Sequence, residues 1–325
     1  MEIAASALTP ELADYLENVE WGYKTGVRYR ILDRRRMLEH VLPRGELRVV
    51  RENREIVGTL FSLHKRVEIA PGLSIPARYE TLLSVIPQAR GKGRSKALLQ
   101  ATLDEQPRGI QYAYVEEKNA PSAAAFKALG YEPFGRFIAT TLNRLRPQRS
   151  TRAKLLDPER KDFMQSRLRD FYKDHALTDI PESFLPTHYW ILEKNGQPAA
   201  GVQIEEERWS ITAMPGLEGL LAVHVLPKRI PVLKISHLYC PPGYEQELME
   251  LVMHLTHYFG KKLALAYWDP RSPVYERLKQ RLRFGFFNPL FETPVWVWAR
   301  FPGFSPAEVA EFQRRPFVIS PLDVS

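Results

Sequence analysis

Leu82-Leu83-Ser84-Val85-Ile86-Pro87-Gln88-Ala89-Arg90-Gly91-Lys92-Gly93-Arg94-Ser95-Lys96-Ala97-Leu98-Leu99 decides how the rest of the chain is read. An apolar run stops at Pro87, Arg-Gly-Lys-Gly-Arg follows, and apolar residues then recur at helical spacing (Ala97, Leu98, Leu99, Ala101, Leu103). The stretch therefore reads as strand, glycine-rich turn and helix. Gly91 and Gly93 carry no Cβ, so the backbone can turn tightly and approach a ligand closely. The helix start leaves N–H groups without intrahelical partners and points its positive dipole end at the turn. Arg90, Lys92, Arg94 and Lys96 add charge of the same sign, which makes an anion site suited to a phosphorylated cofactor. Two common phosphate loops are excluded by spacing. The nucleotide P-loop needs four residues between its glycines and a Lys-Ser or Lys-Thr after them, and the dinucleotide fingerprint needs a third glycine where Lys96 stands.

Val85-Ile86-Pro87-Gln88-Ala89-Arg90-Gly91-Lys92-Gly93 resembles the acetyl-coenzyme A loop of the GNAT superfamily of N-acetyltransferases, apolar-x-Pro-x-x-Arg-Gly-x-Gly. Downstream, Asn119-Ala120-Pro121-Ser122-Ala123-Ala124-Ala125-Phe126-Lys127-Ala128-Leu129-Gly130-Tyr131 is similar to the family's Asn-x-x-Ala-x-x-x-Tyr-x-x-x-Gly-Phe segment. The two stand in family order, separated by an expected strand over Ile110 to Val115.

The resemblance implies acetyl-CoA as cofactor, with the pyrophosphate held by the backbone of Arg90, Gly91, Lys92, Gly93, Arg94 and Ser95. It also implies that the strand edge at Leu83, Ser84 and Val85 holds the pantetheine arm and polarises the thioester carbonyl. Asn119 and Phe126 complete the cofactor site. Many members place at Phe126 a tyrosine that protonates the departing thiolate; phenylalanine cannot do so. An alkyl amine titrates near pH ~10 and arrives protonated, so a base is needed. Glu80 is the candidate, lying upstream of the loop where members often carry an acid.

The chain has 325 residues, 44% hydrophobic and 26% charged, which suits two packed domains. Thr9-Pro10-Glu11 opens a helix, Leu32 to Val41 reads as a second, and Gly45 to Leu63 as a hairpin turning at Glu52-Asn53. After a polar stretch the pattern repeats: Tyr189 to Val202 parallels Val49 to Thr59, Ile235 to Gly243 takes the place of the loop-bearing strand with Tyr239 matching Val85, and Gly285-Phe286 parallels Gly130-Tyr131. The expected fold is α+β, two GNAT-like domains, each a mostly antiparallel mixed sheet flanked by helices. The expected boundaries are 1–146 for the first domain, 147–152 for a linker, 153–300 for the second and 301–325 for a tail that packs back.

Pro241-Pro242-Gly243-Tyr244-Glu245-Gln246-Glu247 has lost the phosphate chemistry: prolines remove N–H donors, and Glu245 and Glu247 repel an anion. One cofactor site, in the first half, is therefore expected.

Other chemistries find little support. No apolar run reaches membrane-span length, no basic-then-apolar leader is visible, and the single cysteine, Cys240, excludes an internal disulfide; a cytoplasmic protein without a membrane partner follows. Cys240 has no basic neighbour in sequence to activate it. His254 and His257, three apart on a helix, read as ordinary helix residues, and no metal is expected. Residues 1–150 hold 24 basic and 17 acidic side chains, against 22 and 21 in the remainder. The basic half lacks interleaved aromatics, which argues against nucleic acid as partner.

The leading function is an N-acetyltransferase acting on a primary amine, small or peptidic, by direct attack in a ternary complex. A catalytically silent acyl-CoA-binding pair and an RNA-directed acetyltransferase stay open as alternatives.

Overall fold

The computed structural model describes residues 1–22, 28–32, 38–39, 41–103, 108–142, 147–213, 229–261, 263–281 and 294–323. Its first half contributes strands β1 (Glu2–Ala5), β2 (Trp21–Gly22), β3 (Arg28–Leu32), β4 (Gly45–Glu52), β5 (Glu55–Ala70), β6 (Leu73–Val85), β7 (Ile110–Glu116) and β8 (Glu132–Thr141). The second half contributes β9 (Ala153–Leu155), β10 (Tyr189–Lys194), β11 (Gln197–Ala213), β12 (Ile230–Tyr239), β13 (Leu263–Trp268) and β14 (Pro294–Arg300). The helices are α1 (Pro10–Glu17), α2 (Arg94–Gln100), α3 (Ala120–Lys127), α4 (Lys161–Phe171), α5 (Ile180–Ser183), α6 (Glu245–Tyr258), α7 (Pro273–Arg281) and α8 (Pro306–Arg314).

Among the described residues all the strands belong to one sheet, whose main path is β1-β4-β5-β6-β7-β14-β8-β13-β12-β11-β10-β9. The order is symmetric about the β14–β8 contact. Two neighbouring pairs, β6 with β7 and β12 with β13, are parallel, and the other pairs are antiparallel. The fold is thus α+β and built from two GNAT-like units, as expected. The units exchange their last strands: β14 pairs with β7, and β8 pairs with β13. No local pattern announces such an exchange.

The repeat extends to backbone conformation. The β4–β5 hairpin turns at Asn53 and Arg54 with φ of 50° and 72°; the β10–β11 hairpin turns at Asn195 and Gly196 with 52° and 73°. Both are tight turns whose two central residues are left-handed, the geometry that matches strand twist. Leu82 in β6 and His237 in β12 also have positive φ, 53° and 42°. In each case two residues stand opposite one: Leu82 and Leu83 face Leu60, and His237 and Leu238 face Val202. Each is a β-bulge. The register puts Tyr239 in the place of Ser84, one residue away from the Val85 expected from sequence.

Local chemistry explains the helix starts. Thr9 accepts from Leu12 N–H at 3.2 Å and Pro10 opens α1. Ser305 and Glu308 form a reciprocal capping box at α8. Leu32 lies in β3; the remainder of the helix expected to Val41, and Gly285-Phe286, fall largely or wholly outside the described residues.

In the first unit, α1 and the last described segment cover one face of the sheet, with Leu12, Leu16, Tyr112, Val297 and Phe317 in a shared core. Helices α2 and α3 cover the other, where Leu98, Leu99, Val115, Phe126 and Tyr131 pack. The stretch after α8 packs back as expected: Phe317, Val318 and Ile319 are buried, and Val318 N–H donates to Ala176 carbonyl at 2.9 Å.

Candidate active site

β6 and β7 are hydrogen-bonded only over Ala77–Glu80 and Ile110–Ala113. Beyond Glu80 and Ala113 the strands part, one running on to Val85 and the other to Glu116. The bulge at Leu82-Leu83 lies on the wall of this opening. It is tied down by Thr59, whose hydroxyl donates to Leu82 carbonyl at 2.9 Å. Ser84 Oγ lies 2.8 Å from Thr59 Oγ1 and 3.1 Å from the hydroxyl of Tyr15 on α1, so it faces the α1 side.

The basic turn sits at the end of β6. Pro87–Ala89 forms a single 3₁₀ turn, and Arg90 to Gly93 are exposed. Gly91 and Gly93 both have φ of 74°, which favours glycine, and a Cβ at either would meet nothing within 4 Å. Backbone conformation, not crowding, demands glycine here, and the space before the turn is open. Arg90 Nε donates to Val85 carbonyl at 3.1 Å, pinning turn to strand. Arg94 is committed to Glu52 at 2.5 Å and to Lys92 carbonyl at 3.1 Å. Lys92 and Lys96 have no ion partner among the described residues. Open turn, free lysines and divergent strands fit a phosphorylated carrier with an extended arm.

The other expected residues lie at α3 and on β6. Asn119 caps α3, its side-chain oxygen accepting from Ser122 N–H at 3.3 Å. Phe126 is buried and packs edge-on against Tyr131 at 5.0 Å. Glu80 is the last residue of β6 paired with β7 and only 2% exposed. It accepts from Ser62 Oγ at 2.5 Å, and burial pushes its carboxyl up to about 7 against the pull of Ser62 and Arg78. The structure thus gathers Leu83, Ser84, Val85 and the turn at one opening, and sets Glu80 at its closed end.

Sequence reasoning missed Glu116. It ends β7 and is half-buried, and its carboxyl has no hydrogen-bond or ion-pair partner among the described residues. Burial pushes its carboxyl up to about 7. Its signal in the sequence is slight: an acid closing an otherwise apolar strand three residues before Asn119. Also missed was Lys65, buried between Asp179 at 2.8 Å and Asp323 at 2.6 Å. Asp323 in turn accepts from Tyr112 and Tyr114 of β7 at 2.7 and 2.9 Å.

The second unit has the same opening. β12 and β13 pair over Val232–Ile235 and Leu263–Ala266 and then part. Here Phe317, Val318 and Ile319 enter the gap, leaving a cavity of about 40 Å³ lined also by His175, His237 and Ser272. Glu245 and Glu247 at the start of α6 pair with Arg277 at 2.9 Å and Lys194 at 2.8 Å. Tyr275 is core. Cys240 does have a basic neighbour, because Arg277 donates to its carbonyl, but burial still pushes the thiol up to about 12.

Residues 6–134 match the model of an acetyltransferase (GNAT) domain. Over nearly its full length the chain shares a fold with solved structures of N-acyltransferases. Saccharomyces cerevisiae N-myristoyltransferase with bound myristoyl-CoA is similar over 98% of this chain and 89% of that one, at 11% identity and a TM-score of 0.65. A GCN5-related N-acetyltransferase from Anabaena variabilis is similar over 93% and 73%, at 12% identity and a TM-score of 0.52. No curated protein matches the sequence. No helix among the described residues is long and apolar enough to cross a membrane.

Proposed function

We propose that the protein transfers an acyl group, in the first instance acetyl, from coenzyme A to a primary amine within a ternary complex. The observation that carries this reading is the coincidence of three features at one opening: the exposed basic turn, the bulge at Leu82-Leu83 and the parting of β6 from β7. Backbone N–H groups from Arg90 to Ser95 would hold the pyrophosphate, with Arg90, Lys92 and Lys96 adding charge. The edge at Leu83, Ser84 and Val85 would bind the pantetheine arm, and its N–H groups would stabilise developing charge on the carbonyl oxygen. When bound, the thioester supplies an activated acyl carbon. Asn119 fixes the start of α3 and Phe126 packs beneath the arm, offering no proton. The second unit contributes structure, not a second carrier site, because Phe317–Ile319 fill its gap.

The test is release of coenzyme A thiol from acetyl-, octanoyl- and myristoyl-CoA with a panel of small amines and peptide N-termini. Amine-dependent release supports transfer, and the acyl panel sets the chain length. Binding of acyl-CoA without release by any amine favours the silent pair.

A further inference from the structure

We infer that Glu116 is the base that takes the proton from the acceptor amine, and that the acceptor enters from the face of the sheet covered by α1. The inference rests on the acyl-transfer reading above and adds to it a catalytic residue and a direction of approach.

The register places Glu116. β6 and β7 are parallel and last paired at Glu80 and Ala113. Counting on in the same direction, Leu83 and Glu116 each stand three residues further, roughly 10 Å at strand rise. The bulge adds a residue to β6, which brings Ser84 to the same level. Glu116 therefore faces, across the opening, the stretch of β6 that would polarise the thioester carbonyl.

Strand alternation decides the side. Tyr112, Tyr114 and Glu116 project to one face of β7. Tyr112 and Tyr114 pack in the core beneath α1, as does Val295, which stands opposite Glu116 in β14. Ser84 Oγ reaches Tyr15 of α1 on that same side. The opposite face is closed by α2 and α3 over Val115 and Phe126. An amine arriving along α1 meets Glu116 on one wall and Ser84 on the other.

Glu116 is also chemically uncommitted. Among the described residues, the phenols on this face include Tyr267, Tyr79, Tyr15, Tyr112 and Tyr114. The last two donate to Asp323, whose other oxygen is taken by Lys65. Val295 and Phe137 are apolar. Among the described residues no charged side chain perturbs Glu116, and burial raises its carboxyl. Glu80, by contrast, lies at the closed end of the opening and spends one oxygen on Ser62.

In the step, the Glu116 carboxylate accepts one proton from the ammonium. The freed nitrogen lone pair attacks the thioester carbon, a C–N bond forms, and the C–S bond breaks with its electron pair on sulfur. A second proton leaves nitrogen and ends on the thiolate. Glu116 then returns its proton to solvent.

The experiment compares wild type, Glu116→Gln, Glu116→Asp and Glu80→Gln in amine-dependent thiol release across pH 5.5–9, with acetyl-CoA affinity measured by calorimetry on each. The expected result is a fall in kcat of about 100-fold or more in E116Q, loss of the acid limb of its profile, partial rescue in E116D, and acetyl-CoA affinity within twofold of wild type. Wild type active with E116Q within threefold of it overturns the assignment alone. So does retained E116Q activity beside lost E80Q activity, or E116Q that no longer binds acetyl-CoA. Wild type that binds acetyl-CoA but transfers to no amine overturns the transfer reading, and Glu116 with it.

Discussion

Replacing Lys65 with methionine removes the one cation from a buried cluster that joins both units to the end of the chain. Lys65 is fully buried, with its ammonium 2.8 Å from Asp179 and 2.6 Å from Asp323, whose side chains are 0% and 2% exposed. Ser183 donates to Asp179 at 2.6 Å, and two tyrosines donate to Asp323. Methionine fills a similar volume, so little cavity cost is added. Two buried carboxylates then face each other without a counter-charge. Breaking a buried pair by removing one partner costs about 3–5 kcal/mol. At roughly 2–4 °C per kcal/mol this lowers Tm by about 6–20 °C.

The pH dependence has a definite sign. In wild type one cation serves two carboxyls. Lys65 holds Asp179 below its ordinary value, while burial leaves Asp323 raised. Without Lys65 both carboxyls lie above their unfolded values, so the destabilisation grows as pH rises past about 4 and shrinks as pH falls towards it. Thermal and urea unfolding of K65M and wild type at pH 5 and pH 8 should show the larger deficit at pH 8, with part of it recovered in K65M/D179N. A Tm loss under 2 °C, or equal deficits at both pH values, would refute the reasoning.

Two further outcomes follow from the opening between β6 and β7. Arg90→Ala combined with Lys92→Ala should raise KM for acyl-CoA roughly 5–25-fold, about 1 kcal/mol per exposed charge contact, while kcat measured at saturation stays within twofold; a kcat loss at unchanged KM would count against a phosphate role. Phe126→Tyr should not raise kcat, because the ring is 2% exposed and packed edge-on against Tyr131. The added hydroxyl should instead lower stability by about 1–3 kcal/mol, and faster turnover in F126Y would show that the position does reach the thiolate.

What the sequence made legible is what short-range chemistry writes. Arg-Gly-Lys-Gly marks a turn because two glycines must adopt positive φ. The first hairpin reads from sequence with its turn at Glu52-Asn53, one residue before the observed Asn53-Arg54, and the repeat is readable from the match of Tyr189 to Val202 with Val49 to Thr59. Thr9 and Ser305 mark helix starts through their hydroxyls. The exchange of β14 and β8 was not legible, since pairing of Val295 with Glu116 depends on the whole sheet closing. For the same reason Lys65, Asp179 and Asp323 look like scattered charges in the sequence and meet only in the fold. The bulge was hidden because nothing in Leu82 favours positive φ, and a lone His237 in an apolar strand is too weak a signal for it. Glu116 was overlooked because an acid at a strand end is ordinary until the neighbouring strand is seen to leave.

The measurement that bears most directly on the account is calorimetric titration of the full chain with acetyl-CoA, repeated on the variant in which Arg90 and Lys92 are both glutamate. One site per chain in the native protein, lost in the variant while its Tm is kept, is the predicted result. Two sites per chain, no binding, or binding untouched by reversing those charges would contradict it.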